Sequence, residues 1–558
     1  MKKIRIKELT AAIAGIAIFL GLISCQNPFF PHYSEKDILG AITGNAPIGP
    51  LSVLPSGNGI WARTATSCAN DWFYTVSADN NGNTIVAGFL WGYLYDAAPS
   101  IFGGITLQRL CSHANPALVK YDASGHVLWA KTVESISIDP LSGLSRADFM
   151  AAAFDSAGNI YAVGSQSGNV TMNYGNGVTI TTDQSSYNIP IIVKYDAGGN
   201  AVWAKNLLSG PAKTANFNAV AVSPDGSVYA IGSYAGDGPF CFGDTPSTEV
   251  SGSSSLSNPV LVKYDSNGVA QWAVSTVAGI NSSVFDSIAV DGDGNIFVSG
   301  YQNGNDYTYG SAGGGGVSIN NTNPGTVANP ILLKYSPNGS ALWARSREGA
   351  GNINAVRFLS VSVDRDGNAF VASSVDGKDA SNYGNGVTVT GIMSRRNPFL
   401  LKYSPNGDAL WGRTLTEGSF EDHDMYFWQW SEAGFSAVAA APDGSVYVTG
   451  GINSLGAYDF GLGPLSIDRK PIEYISPIIV KYSPSGDPIF SKVAVVEGPA
   501  IYECQAYFNS AVVDNSGNLY AAGYQISNEP YYYGDIGNPE TTAKGPCTSQ
   551  NPVLVKFQ

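Results

Sequence analysis

The densest concentration of reactive side chains lies between Glu417 and Trp430, where Glu421, Asp422, His423 and Asp424 stand directly before Tyr426, Phe427, Trp428 and Trp430. Carboxylates and an imidazole can bond ligand hydroxyls while flat rings stack on sugars or fill a partner's pockets. The same rings could equally do no more than pack their own segment against the body of the protein. Tyr531, Tyr532 and Tyr533, close to Glu529, form a second candidate binding group. Converging on one surface, Glu421, Asp424 and Glu529 could also serve a glycan hydrolase or lyase, since glycoside cleavage commonly works through a carboxyl pair. Asp291-Gly-Asp293-Gly-Asn295 and Asp364-Arg-Asp366-Gly-Asn368 open like calcium-binding loops, yet the twelfth position from Asp291 is Gln302, where a bidentate Glu is needed. They are expected to be hairpin turns. No metal or cofactor is expected, and four histidines in 558 residues leave little for general-base chemistry.

The fold that positions these groups has little room for helix. Charged residues make up 13% of the chain against 44% hydrophobic, with 65 Gly, 30 Pro and 30 Tyr, a balance that argues against disorder and for an all-β protein. Formal charge is −14, and −17 once residues 1–24 depart with Lys2, Lys3, Arg5 and Lys7 against Glu8 alone. So acidic a chain is not expected to bind nucleic acid. Residues 1–24 read as a signal peptide: a basic head, the apolar run Leu9–Ile23, then Pro28 and Pro31 too soon for a span of ~20 apolar residues. Leu22-Ile23-Ser24-Cys25 resembles the lipobox of bacterial lipoproteins. That resemblance implies cleavage before Cys25, lipidation of its thiol and outer-membrane anchoring, with the side of the membrane left open. Residues 25–53, carrying Pro28, Pro31, Pro47 and Pro50, read as the acylated Cys and a flexible linker, and 54–558 as the folded domain.

Two motifs alternate through that domain. An apolar strand, a Tyr-Asp-x-x-Gly-like turn and a strand bearing Trp run from Pro116 to Trp129, and recur ending at Trp203, Trp272, Trp343, Trp411 and, with Phe in place of Trp, Phe490. Spacings are 68 to 79 residues. A second turn between apolar strands opens each unit, at Asp79, Asp155, Pro224, Asp291, Asp364, Pro442 and Asp514. Each unit therefore offers two hairpins, strands a–b and c–d; in the third they are expected near Asn218–Ser223, Val228–Ser233, Val260–Tyr264 and Ala270–Val274. Such a four-stranded unit repeated around an axis is a β-propeller blade. The chain stops on a strand c, Asn551–Gln558, with no d after it, and the domain opens on a strand d, Gly57–Arg63, with no c before it. Pairing the two would complete a seventh blade and close the ring, giving an all-β, seven-bladed β-propeller; an open solenoid would instead need a complete last unit.

Phe102-Gly-Gly-Ile-Thr-Leu107 together with Lys120-Tyr-Asp-Ala-Ser-Gly-His-Val-Leu-Trp-Ala-Lys131 resembles the secreted bacterial β-propeller repeat family often labelled SBBP. The resemblance implies export and propeller architecture and no shared chemical activity. The Tyr-Asp-x-x-Gly-x-x-x-Trp element is also similar to the tryptophan-docking repeat of quinoprotein dehydrogenases and of an eight-bladed outer-membrane assembly lipoprotein, a likeness weakened by the count of seven.

The recurring residues are expected to be structural. Each Trp would fill the wedge between blades, and Asn-Pro, as in Asn258-Pro259, would put Pro at the first position of strand c. Lys120, Lys194, Lys263, Lys334, Lys402, Lys481 and Lys556 are expected to be solvated or paired on an outer strand rather than to form a binding ring. Cys68 and Cys111 are 43 residues apart, as are Cys504 and Cys547, and each pair joins the segment before strand a to the segment before strand c of its unit. From this likeness of position two disulfides are predicted, each contributing ~4 kcal/mol in the chain-entropy model and implying an oxidising compartment. Cys241 is left as a free buried thiol. The a–b and c–d turns are short, whereas the b–c and d–a connections elaborate one face, where binding is expected. The expectation is thus a monomeric, non-enzymatic envelope lipoprotein that binds a protein or glycan partner on that face. A glycan hydrolase or lyase, and a plain spacer, are the alternatives.

Overall fold

The computed structural model describes residues 59–558 apart from 67–69, 93–98, 139–144, 211–213, 305, 321–326, 350–355, 395, 421–432, 454–455, 464, 467–474, 497–504, 527–529, 535–540 and 546–549. The described residues are almost wholly β, built from antiparallel sheets that repeat along the chain. In the first sheet Asp71–Ala78, Thr84–Trp91, Ala114–Tyr121 and Val127–Lys131 pair in sequence order as strands a, b, c and d. The third sheet repeats this with Ala215–Val222, Val228–Ala235, Ser257–Tyr264 and Ala270–Val274. In the sheet made by both ends of the chain, Gln505–Val513, Leu519–Ile526 and Gln550–Phe557 are joined on the outside by Gly59–Thr64, with Thr64 opposite Val553. A single parallel pair, Ile475 with Gln505, links that sheet to its predecessor.

Strands b and c are buried along nearly their whole length, because each sheet is covered on both faces by its neighbours; they therefore read as continuous apolar runs rather than alternating ones. The core lies between sheets. Phe73, Val86 and Val119 of the first sheet pack with Tyr520, Ala522 and Leu554 of the sheet made by the chain ends. Strand a starts earlier than expected in the third sheet because a bulge between Phe217 and Ala219 lets pairing continue past it. Strand c also starts earlier, so Pro259 is its third residue. Asn258 there is buried, and its amide donates to Gly236 O and Ser254 O, both at 2.8 Å, which ties the b–c connection down.

The expected hairpin turns form through their acidic residue. Asp291 Oδ1 accepts the N–H groups of Asp293 (3.0 Å) and Asn295 (2.8 Å), while its Oδ2 accepts from the Asn295 amide (2.8 Å).

The repeated lysines are paired, one of the two outcomes expected, but the expected outer strand is corrected: strand c is the third of four and faces the next sheet. Lys120 Nζ donates to Ala197 O in the c–d turn of the following sheet (3.1 Å), and Trp129 Nε1 donates to the same oxygen (3.2 Å). The pairing recurs: Lys194 and Trp203 on Ser266 O, Lys334 and Trp343 on Pro405 O, Lys402 and Trp411 on Pro484 O. Lys556 and Trp61, from the two ends of the chain, take Ala123 O of the first sheet at 3.1 and 3.2 Å. The turn glycine lets the indole lie flat on it. Gly199 sits at φ +83°, and a Cβ there would be 2.8 Å from Trp129.

Lys402→Met should therefore cost about 2–4 kcal/mol in chemical denaturation, since it removes a charged donor from Pro484 O and leaves Asp364, 3.5 Å away, buried without its cation. An exposed lysine of the kind first expected would cost at most about 0.5 kcal/mol.

Candidate functional site

The repeat fixes a buried Phe in strand a of each sheet, at Phe73, Phe149, Phe217, Phe285, Phe435 and Phe508, with Phe358 just before the shorter strand Ser360–Val363. The residues on either side of it are not fixed. Before it stand Trp72, Asp148, Asn216, Val284, Arg357, Gly434 and Tyr507; after it, at the bulge, stand Tyr74, Met150, Asn218, Asp286, Leu359, Ser436 and Asn509. Strands a of consecutive sheets lie side by side, and their side chains reach across. Val76 N–H donates to Ser510 Oγ (3.1 Å), and Asn509 Nδ2 donates to Phe73 O (2.9 Å).

Where the first sheet meets the one made by the chain ends, the variable positions are aromatic. Trp72 stacks on Tyr524 with ring centres 5.6 Å apart and planes 18° from parallel. Tyr74 lies 6.1 Å from Trp72 and 5.5 Å from Phe89, Phe89 lies 5.9 Å from Trp91, and Trp91 lies 6.2 Å from His113. All but Phe89 are only half-buried. Five half-buried rings in one patch present part of their flat faces at the surface. The second sheet supplies the polar side. Arg146 Nη2 is 2.7 Å from Asp148 Oδ2, and Asp148 Oδ1 accepts from the Ser165 amide (3.1 Å) and hydroxyl (2.9 Å). Burial, and then the nearby Asp148 carboxylate, raise the Tyr74 hydroxyl above its ordinary range, so it stays a hydrogen-bond donor.

Beneath this patch the first sheet carries a buried ionic clip. Arg109 Nη2 bonds Asp71 Oδ1 at 2.9 Å and Ser100 Oγ at 2.7 Å, and Ser100 in turn donates to Asp71, so the b–c connection is fastened to strand a. Burial raises the Asp71 carboxyl and Arg109 opposes the rise. A separate cleft of about 430 Å³ between the fourth and fifth sheets is lined by Arg345, Glu348, Tyr383, Asn385 and Asp408. Arg345 there holds Gly407 O (2.6 Å) and Asn406 O (3.1 Å), and Glu348 accepts from the Asn382 amide (3.3 Å), while the Tyr383 hydroxyl is enclosed without a hydrogen-bond partner.

The candidates from the sequence fare unevenly. Glu421, Asp422, His423, Asp424, Tyr426, Trp428 and Trp430 lie outside the described residues, as do Glu529, Cys25, Cys68, Cys504 and Cys547. Tyr531 and Tyr533 are not a binding group. They are 1% and 4% exposed within the core of the terminal sheet, where the Tyr533 hydroxyl donates to Gln525 Oε1 (3.0 Å); Tyr532 is half-buried. Cys111 is a free thiol, so the predicted Cys68–Cys111 bridge is not formed. Its Sγ turns into the core towards Met172 Sδ, 3.9 Å away. Cys241 is free as expected, but half-buried, 3.3 Å from Glu249 Oε2. The aromatic patch was not anticipated. The signal available was the change of residue type around an invariant Phe, one position before it and one after.

Burial pushes the Cys111 thiol up to about 12, so it is protonated and unreactive in the folded protein. A thiol reagent should modify Cys241 under native conditions and reach Cys111 only after unfolding, and mass spectrometry without reductant should find Cys111 unbridged.

No family model matches the chain. It is 22% identical over 399 residues to an uncharacterized WD repeat-containing protein, L264, of Acanthamoeba polyphaga mimivirus; the match takes in 63% of this chain and 27% of that relative's length. Among solved structures it is similar to the polysaccharide lyase Uly1 (TM-score 0.41, 9% identity, 90% of this chain and 99% of that one). It is also similar to the periplasmic gluconolactonase PpgL of Pseudomonas aeruginosa (TM-score 0.36, 10% identity, 75% and 84%) and to a protein of unknown function from Dyadobacter fermentans (TM-score 0.33, 9% identity, 90% and 100%).

Proposed function

We propose that this chain is a closed, seven-bladed β-propeller of the SBBP type, tethered to the bacterial outer membrane through a lipidated Cys25, that binds a glycan or protein partner without catalysis. Closure is supported by the pairing of Gly59–Thr64 with Gln550–Phe557 and by the grip of Lys556 and Trp61 on Ala123 O. Among the described residues no helix is long and apolar enough to cross a membrane; the lipid on Cys25 is the proposed attachment.

One observation carries the recognition reading: the half-buried cluster of Trp72, Tyr524, Tyr74, Trp91 and His113 at the joint of the first and terminal sheets. Rings presented this way stack on the apolar faces of sugars, with Arg146 and the Tyr74 hydroxyl placed to bond hydroxyl groups beside them. A glycan is the better fit of the two partner classes. Glu421, Asp424, Trp428 and Trp430, in the d–a loop between Glu417–Phe420 and Gly434–Ala440, remain the second proposed binding group, read from the sequence. A glycan hydrolase or lyase would need a carboxyl group free to move protons; Asp148, the carboxyl beside the rings, has both oxygens engaged by Arg146 and Ser165.

On a glycan array, Trp72→Ala and Tyr524→Ala should each weaken binding about tenfold or more with little change in melting temperature. If Trp428→Ala with Trp430→Ala abolishes binding instead, the site moves to that loop, and turnover of any bound glycan would replace recognition with catalysis. Cys25→Ser should release the protein from the membrane fraction. Protease shaving of intact against permeabilised cells then reports which side of the membrane the binding face occupies.

A further inference from the structure

At the bulge after the repeated Phe of strand a, three sheets carry a side chain that donates to the backbone of the next sheet. Asn218 Nδ2 reaches Phe285 O (2.8 Å), Asn509 Nδ2 reaches Phe73 O (2.9 Å), and Ser436 Oγ donates to Phe508 O. Asp286 holds the same position in Ser283–Val290, and the repeated Phe of the next sheet is Phe358. The strands a of these two sheets meet in the register seen elsewhere: Val361 N–H donates to Ser287 Oγ (3.2 Å) as Val76 N–H does to Ser510 Oγ. The amide of Phe358 is itself held to the fourth sheet through Gly300 O (3.2 Å).

A carboxylate at this position has no hydrogen to give. The residue as a whole is half-buried, but Asp286 Oδ2 is enclosed and has no hydrogen-bond partner. Such an oxygen is costly as an anion and satisfied as a hydroxyl. Burial pushes the carboxyl up to about 7, against the pull of Arg357. Few other groups bear on it. Arg357 lies with its guanidinium 4.0 Å over the Tyr301 ring, on strand b of the same sheet. The packed strands Ala215–Val222 and Ser360–Val363 carry no titratable residue. Val228–Ala235 brings Tyr229 and Tyr234, each raised to about 12 by burial, and Ser257–Tyr264 brings Tyr264, also raised by burial, and Lys263, which is engaged with Pro337 O.

We propose that Asp286 holds a proton in the folded protein and donates it to the Phe358 carbonyl, making the joint between the fourth and fifth sheets a proton-dependent counterpart of the Asn and Ser joints. Its ionisation would remove that bond and set a negative charge beside Arg357 at the inner ends of the sheets. The folded protein keeps this proton at pH values where the unfolded chain has released it, so stability should fall as pH rises from about 4 to about 7 and then level off.

The test is the melting temperature of the full chain from pH 4 to pH 9, as wild type, Asp286→Asn and Asp286→Ala. Asn supplies the donor at every pH, so D286N should match wild type at pH 4 and exceed it by a margin that grows up to about pH 7 and then holds to pH 9. D286A lacks the donor and should melt below both at pH 5. A wild type that loses no more stability than D286N between pH 5 and pH 8, or a D286A at least as stable as wild type at pH 5, would overturn the proposal. Should the variants fold poorly, the carboxyl carbon resonance of Asp286 in the wild-type protein serves. A titration midpoint near 7 agrees with a held proton, and one near 4 refutes it.

Discussion

One backbone carbonyl in each c–d turn is the joint on which the architecture depends. At Ala123, Ala197, Ser266, Pro405 and Pro484 it takes two donors from the preceding sheet, a lysine from strand c and an indole from strand d, as Ala197 does from Lys120 and Trp129. Pro337 O takes Lys263 alone, and the Trp272 indole N–H is left without a partner. A carbonyl has two lone pairs, so both bonds can be made at once. The ammonium is also held over an aromatic ring of strand b, as Lys402 is over Phe370 at 4.9 Å, and near an acidic turn residue, Asp364 at 3.5 Å. These contacts offset the cost of burying the charge. Each sheet thus grips its successor through a turn whose shape is set by a positive-φ glycine and an aspartate or serine cap, and the joint repeats because every part of it is local to one hairpin.

The departures from the repeat follow from the same joint. The sheet made by the chain ends has no c–d turn, since its strands c and d, Gln550–Phe557 and Gly59–Thr64, belong to opposite termini. The preceding sheet therefore has no turn carbonyl to reach. The position there carries Phe490, which pairs opposite Lys481 and has no N–H to satisfy. Lys481 stays, 4.6 Å over the Tyr447 ring and 3.8 Å from Asp443.

Much of this was legible from the chain alone because it is local and repeated: the paired hairpins, the acidic turns, the strand c and strand d left over at the two ends. The lysines were misread because a charged residue in an apolar strand suggests an edge; a strand covered on both faces, such as Ala114–Tyr121, gives no alternation from which to learn which way its lysine points. Tyr531 and Tyr533 were misread for the opposite reason. A cluster of tyrosines outside the repeat looks like a surface, whereas these two fill a core whose other half comes from strands on either side of them in the sequence. The Cys111 thiol was misassigned because equal spacing of cysteines says nothing about where Sγ points, which here is towards Met172. The aromatic patch could not be read at all as a unit, because Trp72 and Tyr524 come from opposite ends of the chain.

That last pairing ties recognition to architecture. Trp72 belongs to strand a of the first sheet and Tyr524 to strand b of the sheet that both termini complete, so their stack exists only when Gly59–Thr64 has paired with Gln550–Phe557 and Trp61 has reached Ala123 O. Asn509 and Ser510, bonding Phe73 and Val76, hold the same joint from the inside. The fixed parts of the repeat cannot distinguish one sheet from another, and so cannot mark a unique binding position. The variable residues around the strand-a Phe can, and they are aromatic where the two chain ends are brought together. A partner that binds this patch stabilises the joined form over any form in which the ends have parted, by the ordinary linkage of binding to the state that binds. Among the described residues the sheet on one side of that joint is completed by strands from both chain ends, so such stabilisation would act where the ends are held together.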